Sequence, residues 1–375
     1  MVRKKGRTGL VLSGGGARGA YQVGALVALA EICKELKLGH PFPIITGTSA
    51  GAINAVYLAS HAHHFLQAPL KLKQLWETMY AQDVYRTDIS SLLKVGLRLL
   101  LELASGGLYK KKQARALLDT TPLKELIATY SDFDKLKENI DKKILHGLAI
   151  TTMNYTTGNS RIFYQGHKSI KPWKRIKRLG METEFSVNHI LASSAIPILF
   201  PPVKIHGHYY GDGSLRNYTP LSPAIKLGAD KIMVIGVRQT EKKIDERVQA
   251  LPSLARVLSI MLNSVLLDAI DLDYDSLSRI NETIGTSAEE REHGYRPIDL
   301  FMIHPSMDIG KIALEEMDHL PPNIAYLLKG LGTKKEAADL TSFLLFEPSY
   351  TKRLIQLGYS DTKAREKKII AFLKD

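Results

Sequence analysis

A chain of 375 residues, 45% hydrophobic and 24% charged, has the makeup of a soluble globular protein and is long enough for one large α/β domain or two small ones. Its one cysteine excludes an internal disulfide, and no apolar stretch is long and uninterrupted enough for a membrane span. The net charge of +13 says nothing about fold but predicts attraction to polyanions: anionic lipid surfaces, nucleic acid or acidic substrates.

The start, Met1 to Arg7, is basic like the head of a signal peptide, but the apolar run Gly9 to Ser13 breaks at once into Gly14-Gly15-Gly16. A cleaved secretory signal is therefore not expected. Gly9 to Ser13 predicts a short strand leading into Gly14 to Gly24, and the residues after Gly24 predict a helix to about Leu38. Cys33 falls in that helix and reads as a small buried apolar group. The loop between, Gly14-Gly15-Gly16-Ala17-Arg18-Gly19, exposes bare N–H groups that suit a phosphate or an oxyanion. A dinucleotide fingerprint needs an acidic residue at the end of a second strand, whereas Glu31 and Glu35 lie within the first helix. A Walker loop needs a closing Gly-Lys-Ser/Thr, which is absent.

Phe42 to Thr46 is apolar, Gly47-Thr48-Ser49-Ala50-Gly51 reads Gly-x-Ser-x-Gly, and Ala52 to Ala59 is helix-like. Strand, tight turn and helix form the setting of a nucleophile elbow, which lifts the serine to the mouth of the sheet at a helix N-terminus. A small-residue turn without chemistry is the alternative. An oxyanion loop facing this elbow is the reading of the three glycines that uses both motifs, with Arg18 adding positive charge or lying solvated at the surface. His61, His63 and His64 follow as a solvated helix end; no partner at metal-ligand spacing accompanies them, so no metal is expected.

Leu92 to Leu103 is apolar but for the stripe Lys94, Arg98 and Glu102, which predicts a core helix, or a lid or interfacial helix that meets lipid. A hinge-like Gly106-Gly107 and the basic Lys110-Lys111-Lys112 follow. Gly147 to Thr152 and Arg161 to Gln165 predict a strand pair with a turn at Asn154 to Asn159. In Lys171 to Arg178, five cations interleave with Trp173 and Ile176, which suits an anionic membrane surface or a solvated charge run. No nucleic-acid module surrounds it, so nucleic acid is not an expected partner.

Asn188 to Pro197 predicts a helix of small residues, with Ile198 to Val203 extended after it. Asp212-Gly213, after an aromatic run, reads alone as a hairpin turn and beside Ser49 as a base. Lys231 to Val237 predicts a parallel strand buried on both faces, Leu254 to Ile270 a helix, and Asp299 to His304 a last strand. The C-terminal third is helical. With no convincing linker, residues 1–375 are expected to form one domain, with a motif-bearing core at about 9–240 and a helical extension at about 305–375.

Taken together, Gly14 to Gly19, Gly47 to Gly51 and Asp212-Gly213 resemble the patatin-like phospholipases, in their bacterial branch. Asn217, Pro220 and Ala192 to Pro197 share that likeness, which covers roughly Gly9 to Val237. The resemblance implies an α/β fold with a central, mostly parallel sheet between helix layers. It also implies a Ser–Asp pair: Ser49 as nucleophile, Asp212 as general base, and Gly14, Gly15, Gly16 and Arg18 as the oxyanion site. Ser214 departs from the small residue usual after the Asp-Gly. The expected reaction is hydrolysis of fatty-acyl esters of phospholipids or lysophospholipids at a membrane surface, with no cofactor. The expected location is cytoplasmic and peripheral to a membrane, with export by a route that cleaves no signal left open. Acyl transfer or thioester cleavage by the same pair, a non-catalytic lipid-binding scaffold, and a conventional Ser-His-Asp site remain alternatives. For the last, the candidate bases are His189, His206, His208 and His304, and only His293, His304 and His319 follow Asp212 in the chain.

Overall fold

The computed structural model describes residues 6–86, 116–240, 251–286 and 296–374. The apolar Leu92–Leu103 stretch, Lys110 to Lys112 and His293 lie outside them. Five strands form a parallel core: β1 (Thr8–Leu12), β2 (Ile44–Thr48), β3 (Gly147–Asn154), β9 (Lys231–Ile235) and β10 (Asp299–Ile303). They run in the order β10-β9-β1-β2-β3. Their sequences explain the burial. In β1, Leu10 and Leu12 face one core and Val11 the other; in β9, Met233 and Ile235 face the first and Ile232 and Val234 the second. Both faces are apolar and both are covered, as parallel strands require.

Beyond β3 the sheet is mixed, mostly antiparallel. β4 (Asn159–Gly166) returns along β3 through a turn in which the Asn154 side-chain oxygen accepts the N–H groups of Thr156 and Thr157. β6 (Arg178–Glu182) pairs with β4 in parallel, and β5 (Trp173–Arg175) lies at the edge, antiparallel to β6. β8 (His208–Asp212) pairs with the end of β3, Thr152 opposite Asp212, and β7 (Val203–Ile205) pairs with β8.

The helix Gly19–Glu35 is apolar around almost its whole circumference, so it must be covered on both sides. It crosses the C-terminal helix Pro348–Ala364 at backbone contact: a Cβ on Gly24 would collide with the Ile355 carbonyl oxygen, and one on Gly358 with that of Tyr21. Cys33 is buried in this core. The architecture is a three-layer α/β fold with a mostly parallel sheet between helices. No described helix is long and apolar enough to cross a membrane.

Three expectations on local structure are corrected. Ile198 to Val203 is not extended throughout. Ile198 adopts φ +69°, and the Leu117 and Leu118 N–H groups donate to the carbonyls of Ile198 and Leu199, so distant chain fixes a turn there. The small-residue helix ends at Ser193. Leu254 to Ile270 is two helices, Leu254–Leu266 and Asp268–Thr286, broken at Leu267.

Candidate active site

Ser49 sits between β2 and the helix Ala50–Ser60, with φ +56° and ψ −129°. A non-glycine residue there holds strain of order 1–3 kcal/mol, which persists only where surroundings over-determine it. Here they do. The Ser49 N–H donates to Ser193 Oγ at 3.0 Å, and Ser193 Oγ donates to the Thr151 carbonyl at 2.7 Å. Ser194 Oγ donates to the Ser49 carbonyl at 3.1 Å. At Gly51 a Cβ would collide with the Leu12 carbonyl oxygen, so only glycine lets the elbow approach β1. The sequence carries no direct sign of the roles of Ser193 and Ser194, although the small residues of that helix mark it as closely packed.

Below the elbow a buried polar chain fixes the start of the helix. Asn54 Nδ2 donates to the Gly19 carbonyl and to Gln22 Oε1, Trp76 Nε1 donates to Asn54 Oδ1, and Gln22 Nε2 donates to the Ser13 carbonyl. Such a chain holds its shape because each member is satisfied. It joins the glycine loop, the elbow helix and the helix Ala68–Thr78 into one frame.

Asp212 ends β8 and caps a short turn of 3-10 helix, Gly213–Arg216; it is not a hairpin turn. The residue is 0% exposed. Oδ1 accepts the Ser214 N–H at 2.9 Å, and Oδ2 has no hydrogen-bond partner of regular geometry. Burial raises the carboxyl pKa to about 6 against the opposing pull of the Ser49 hydroxyl and the Ser214 N–H. The Ser49 hydroxyl thus lies near enough to favour the carboxylate without closing a regular hydrogen bond. Asn217 Nδ2 donates to Thr48 Oγ1 at 3.2 Å and ties the segment after Asp212 to the residue before Ser49.

Gly14 faces the pair. A Cβ there would lie 3.0 Å from Ser49 Cβ and 2.7 Å from Ser214 Oγ. Among the described residues the Gly14 and Gly15 N–H groups have no intramolecular acceptor, whereas Arg18 N–H donates to the Gly15 carbonyl. Gly16 has φ +56° and lies against the Phe343 carbonyl. The expectation that Arg18 lends its side-chain charge to an oxyanion, or lies solvated, is not met. Its guanidinium is buried, donates to Ser342 Oγ at 2.8 Å, pairs with Asp339 at 3.4 Å and lies 4.5 Å from the Phe343 ring centroid. It clamps the loop to the helix Lys334–Leu344.

Two cavities meet the site, one on each side of the sheet. Ser49, Ala50, Ile53, Trp76, Leu123 and Phe200 line an almost wholly apolar one. Gly14, Thr46, Thr48, Thr151, Ser214 and Asn217 give the other a polar wall, closed by Leu266 and Ile270. Among the described residues no histidine is hydrogen-bonded to Ser49 or Asp212. His189 is occupied by Ser186 and Thr183, His304 by Arg365 and the Pro305 carbonyl, and His319 by Glu316. Burial, then the charge of His206, lowers the His189 pKa to about 4. His63 contacts Asn139, and His61 the Tyr57 carbonyl.

A buried carboxylate, a strained serine at a helix N-terminus, donors beside it and an apolar cavity make a site suited to acyl chemistry. A family model described as patatin-like phospholipase matches residues 10–225, and the chain belongs to that family. It is 27% identical over 220 residues to a cGAMP-activated phospholipase of Vibrio cholerae serotype O1, covering 56% of this chain and 54% of the relative. It is 26% identical over 219 residues to a cGAMP-activated phospholipase of Escherichia coli strain TW11681, covering 56% and 52%. The chain spans about half the length of these curated relatives. Among solved structures it is similar to human GIVD cytosolic phospholipase A2, with TM-score 0.45, 11% identity, and coverage of 98% of this chain and 60% of that one. The similarity to VipD from Legionella pneumophila has TM-score 0.35 and 14% identity, covering 97% and 67%.

Proposed function

We propose that Ser49 and Asp212 act as a catalytic pair that hydrolyses fatty-acyl esters of phospholipids or lysophospholipids at a membrane surface. The observation that carries this is the fully buried Asp212 carboxylate, whose Oδ2 lacks a regular partner beside the strained Ser49. Asp212 takes the Ser49 hydroxyl proton as Oγ attacks the ester carbonyl. The oxyanion meets the N–H groups of the Gly14–Gly16 loop, donors worth about 3–4 kcal/mol each in comparable sites. Collapse breaks the bond to the leaving alcohol, which takes the proton from Asp212. Water, deprotonated by Asp212, then attacks the acyl-Ser49 ester; collapse breaks the bond to Ser49 Oγ, which takes the proton back from Asp212, and releases the fatty acid. The apolar cavity at Ile53, Leu123 and Phe200 suits the acyl chain. The scheme uses only these residues and water.

The test is fatty-acid release from mixed phospholipid vesicles by wild type, Ser49→Ala and Asp212→Ala. Because the names of two relatives include an activator, each is run with and without cGAMP. Release by wild type and its loss in both folded variants is expected. Release surviving in Asp212→Ala near the wild-type rate, or absence of wild-type release from vesicles and from a small activated ester alike, refutes the pair.

A further inference from the structure

We infer that the β5–β6 hairpin and the segment after Asp212 form the face on which this protein docks to an anionic phospholipid bilayer. This rests on the lipid-hydrolase reading above and names the surface that reading needs.

The placement comes from strand register. Ser49 follows Thr48, which pairs with Thr151 of β3; three residues further along β3, Asn154 pairs with Asn159, and Ser160 pairs with Arg178 of β6. The hairpin tip, Ile176-Lys177, therefore projects from the same end of the sheet as Ser49 and Asp212. β2 to β6 is three inter-strand steps, about 14 Å across the sheet. Arg178 hydrogen-bonds Thr219 Oγ1, so the hairpin is fastened to the segment that leaves Asp212.

The tip is built unlike a solvated turn. Ile176 is 89% exposed, while Trp173 at the start of β5 stacks on Tyr164 at 5.0 Å and anchors the strand. Lys174, Arg175, Lys177 and Arg178 flank the isoleucine in the chain, Lys226 lies near Arg175 and Arg178, and Arg216 lies on the segment after Asp212. Among the described residues none of the six has an ion pair. Burial, then the charges of Arg175 and Arg178, lowers the Lys226 pKa, so these groups repel one another. Asp273, the carboxylate that acts on Arg178, is turned to the Leu221 N–H at 2.9 Å. Next to Arg216, Tyr218 is 61% exposed with its hydroxyl accepting from that arginine. Cations that make no ion pair, set around an exposed apolar side chain, complement anionic headgroups over a hydrocarbon layer. A nucleic-acid backbone would use the cations and leave Ile176 idle.

The test uses the full chain, vesicles of phosphatidylcholine alone or mixed with phosphatidylglycerol, and two variants: Lys174→Glu/Arg175→Glu and Ile176→Ser. Sedimentation should show wild type on the mixed vesicles only, and less of it as salt rises. Charge reversal should lower partitioning at least about thirtyfold, the effect of losing two cations before any repulsion by the new carboxylates, and Ile176→Ser about tenfold. Hydrolysis of a soluble short-chain ester should stay at the wild-type rate in both variants. Equal binding to neutral vesicles, no wild-type binding, or wild-type binding by either variant overturns the docking face. So does duplex DNA binding that depends on Lys174 and Arg175 but not on Ile176, without vesicle binding. Vesicle binding without hydrolysis of any ester by wild type leaves the docking face standing and sinks the catalytic pair instead.

Discussion

Replacing Asp212 with asparagine should abolish activity and make the protein more stable at neutral pH. The carboxylate is 0% exposed, with its pKa raised by burial from 3.8 to about 6. A shift of about two units corresponds to about 3 kcal/mol of differential interaction. The sign follows from proton binding. Between about pH 4 and pH 6 the native state holds a proton that the unfolded chain has released, so stability falls as pH rises through that window. Above it the full penalty of burying the charge is present; below it the carboxyl is neutral and the penalty vanishes. The amide side chain of Asp212→Asn would be neutral at every pH, keep an acceptor for the Ser214 N–H, and turn its NH₂ group toward Ser49. For a chain of this length, about 3 kcal/mol corresponds to about 4 °C in melting temperature. The assay is thermal unfolding of wild type and Asp212→Asn from pH 4 to pH 8. Their melting temperatures should coincide near pH 4 and diverge to about 4 °C, variant higher, by pH 8. Parallel curves across the range would show that Asp212 carries no buried charge and would remove the physical basis for its role as base.

The same ionisation should appear in turnover: wild-type kcat on a soluble ester should rise through about pH 6 and level off above it, since the base must be deprotonated. A pH profile flat from pH 5 to pH 8 would contradict this. Ser49→Gly should be more stable than Ser49→Ala by about 1–2 kcal/mol in denaturant titration, because only glycine relieves φ +56°. Gly14→Ala should lower kcat about a hundredfold or more, since the methyl group would intrude between Ser49 and Ser214 beside the oxyanion donors. Ile53→Trp should fill the apolar cavity and move the ester preference toward short acyl chains, read as kcat/KM along a chain-length series; an unchanged series would place the acyl chain elsewhere.

The elements around Ser49 are legible in the sequence because their signals are local. Glycines at 47 and 51 and the apolar runs beside them are read within a few residues, and they lie where strand, turn and helix meet. The parallel core shows in the unbroken apolar runs of β1 and β9, since strands buried on both faces need no polar alternation. Asp212 is ambiguous because Asp-Gly serves a turn as readily as a site, and only its long-range pairing opposite Thr152 shows that it ends a strand and does not form a hairpin turn. The turn at Ile198 escapes a local reading because it is held by Leu117 and Leu118, far away in the chain. The break at Leu267 is invisible to periodicity because the apolar spacing continues through it, from Leu266 to Ile270. Arg18 is misplaced by chemistry suited to a loop, whereas its partners Ser342 and Asp339 come from a helix that carries no recognisable motif.

That clamp changes what counts as the site. Phe343, Ser342 and Asp339 seat Gly16 and Arg18, yet they lie more than a hundred residues past the end of the family match at residue 225. A fragment ending there would retain Ser49, Asp212 and all three glycines, and would leave the glycine loop without its floor and a buried guanidinium without its counter-charge. The segment with the least recognisable sequence thus holds the mould in which the most recognisable one is cast. Drift within Lys334–Leu344 would loosen the Gly14–Arg18 loop before any signature residue had changed.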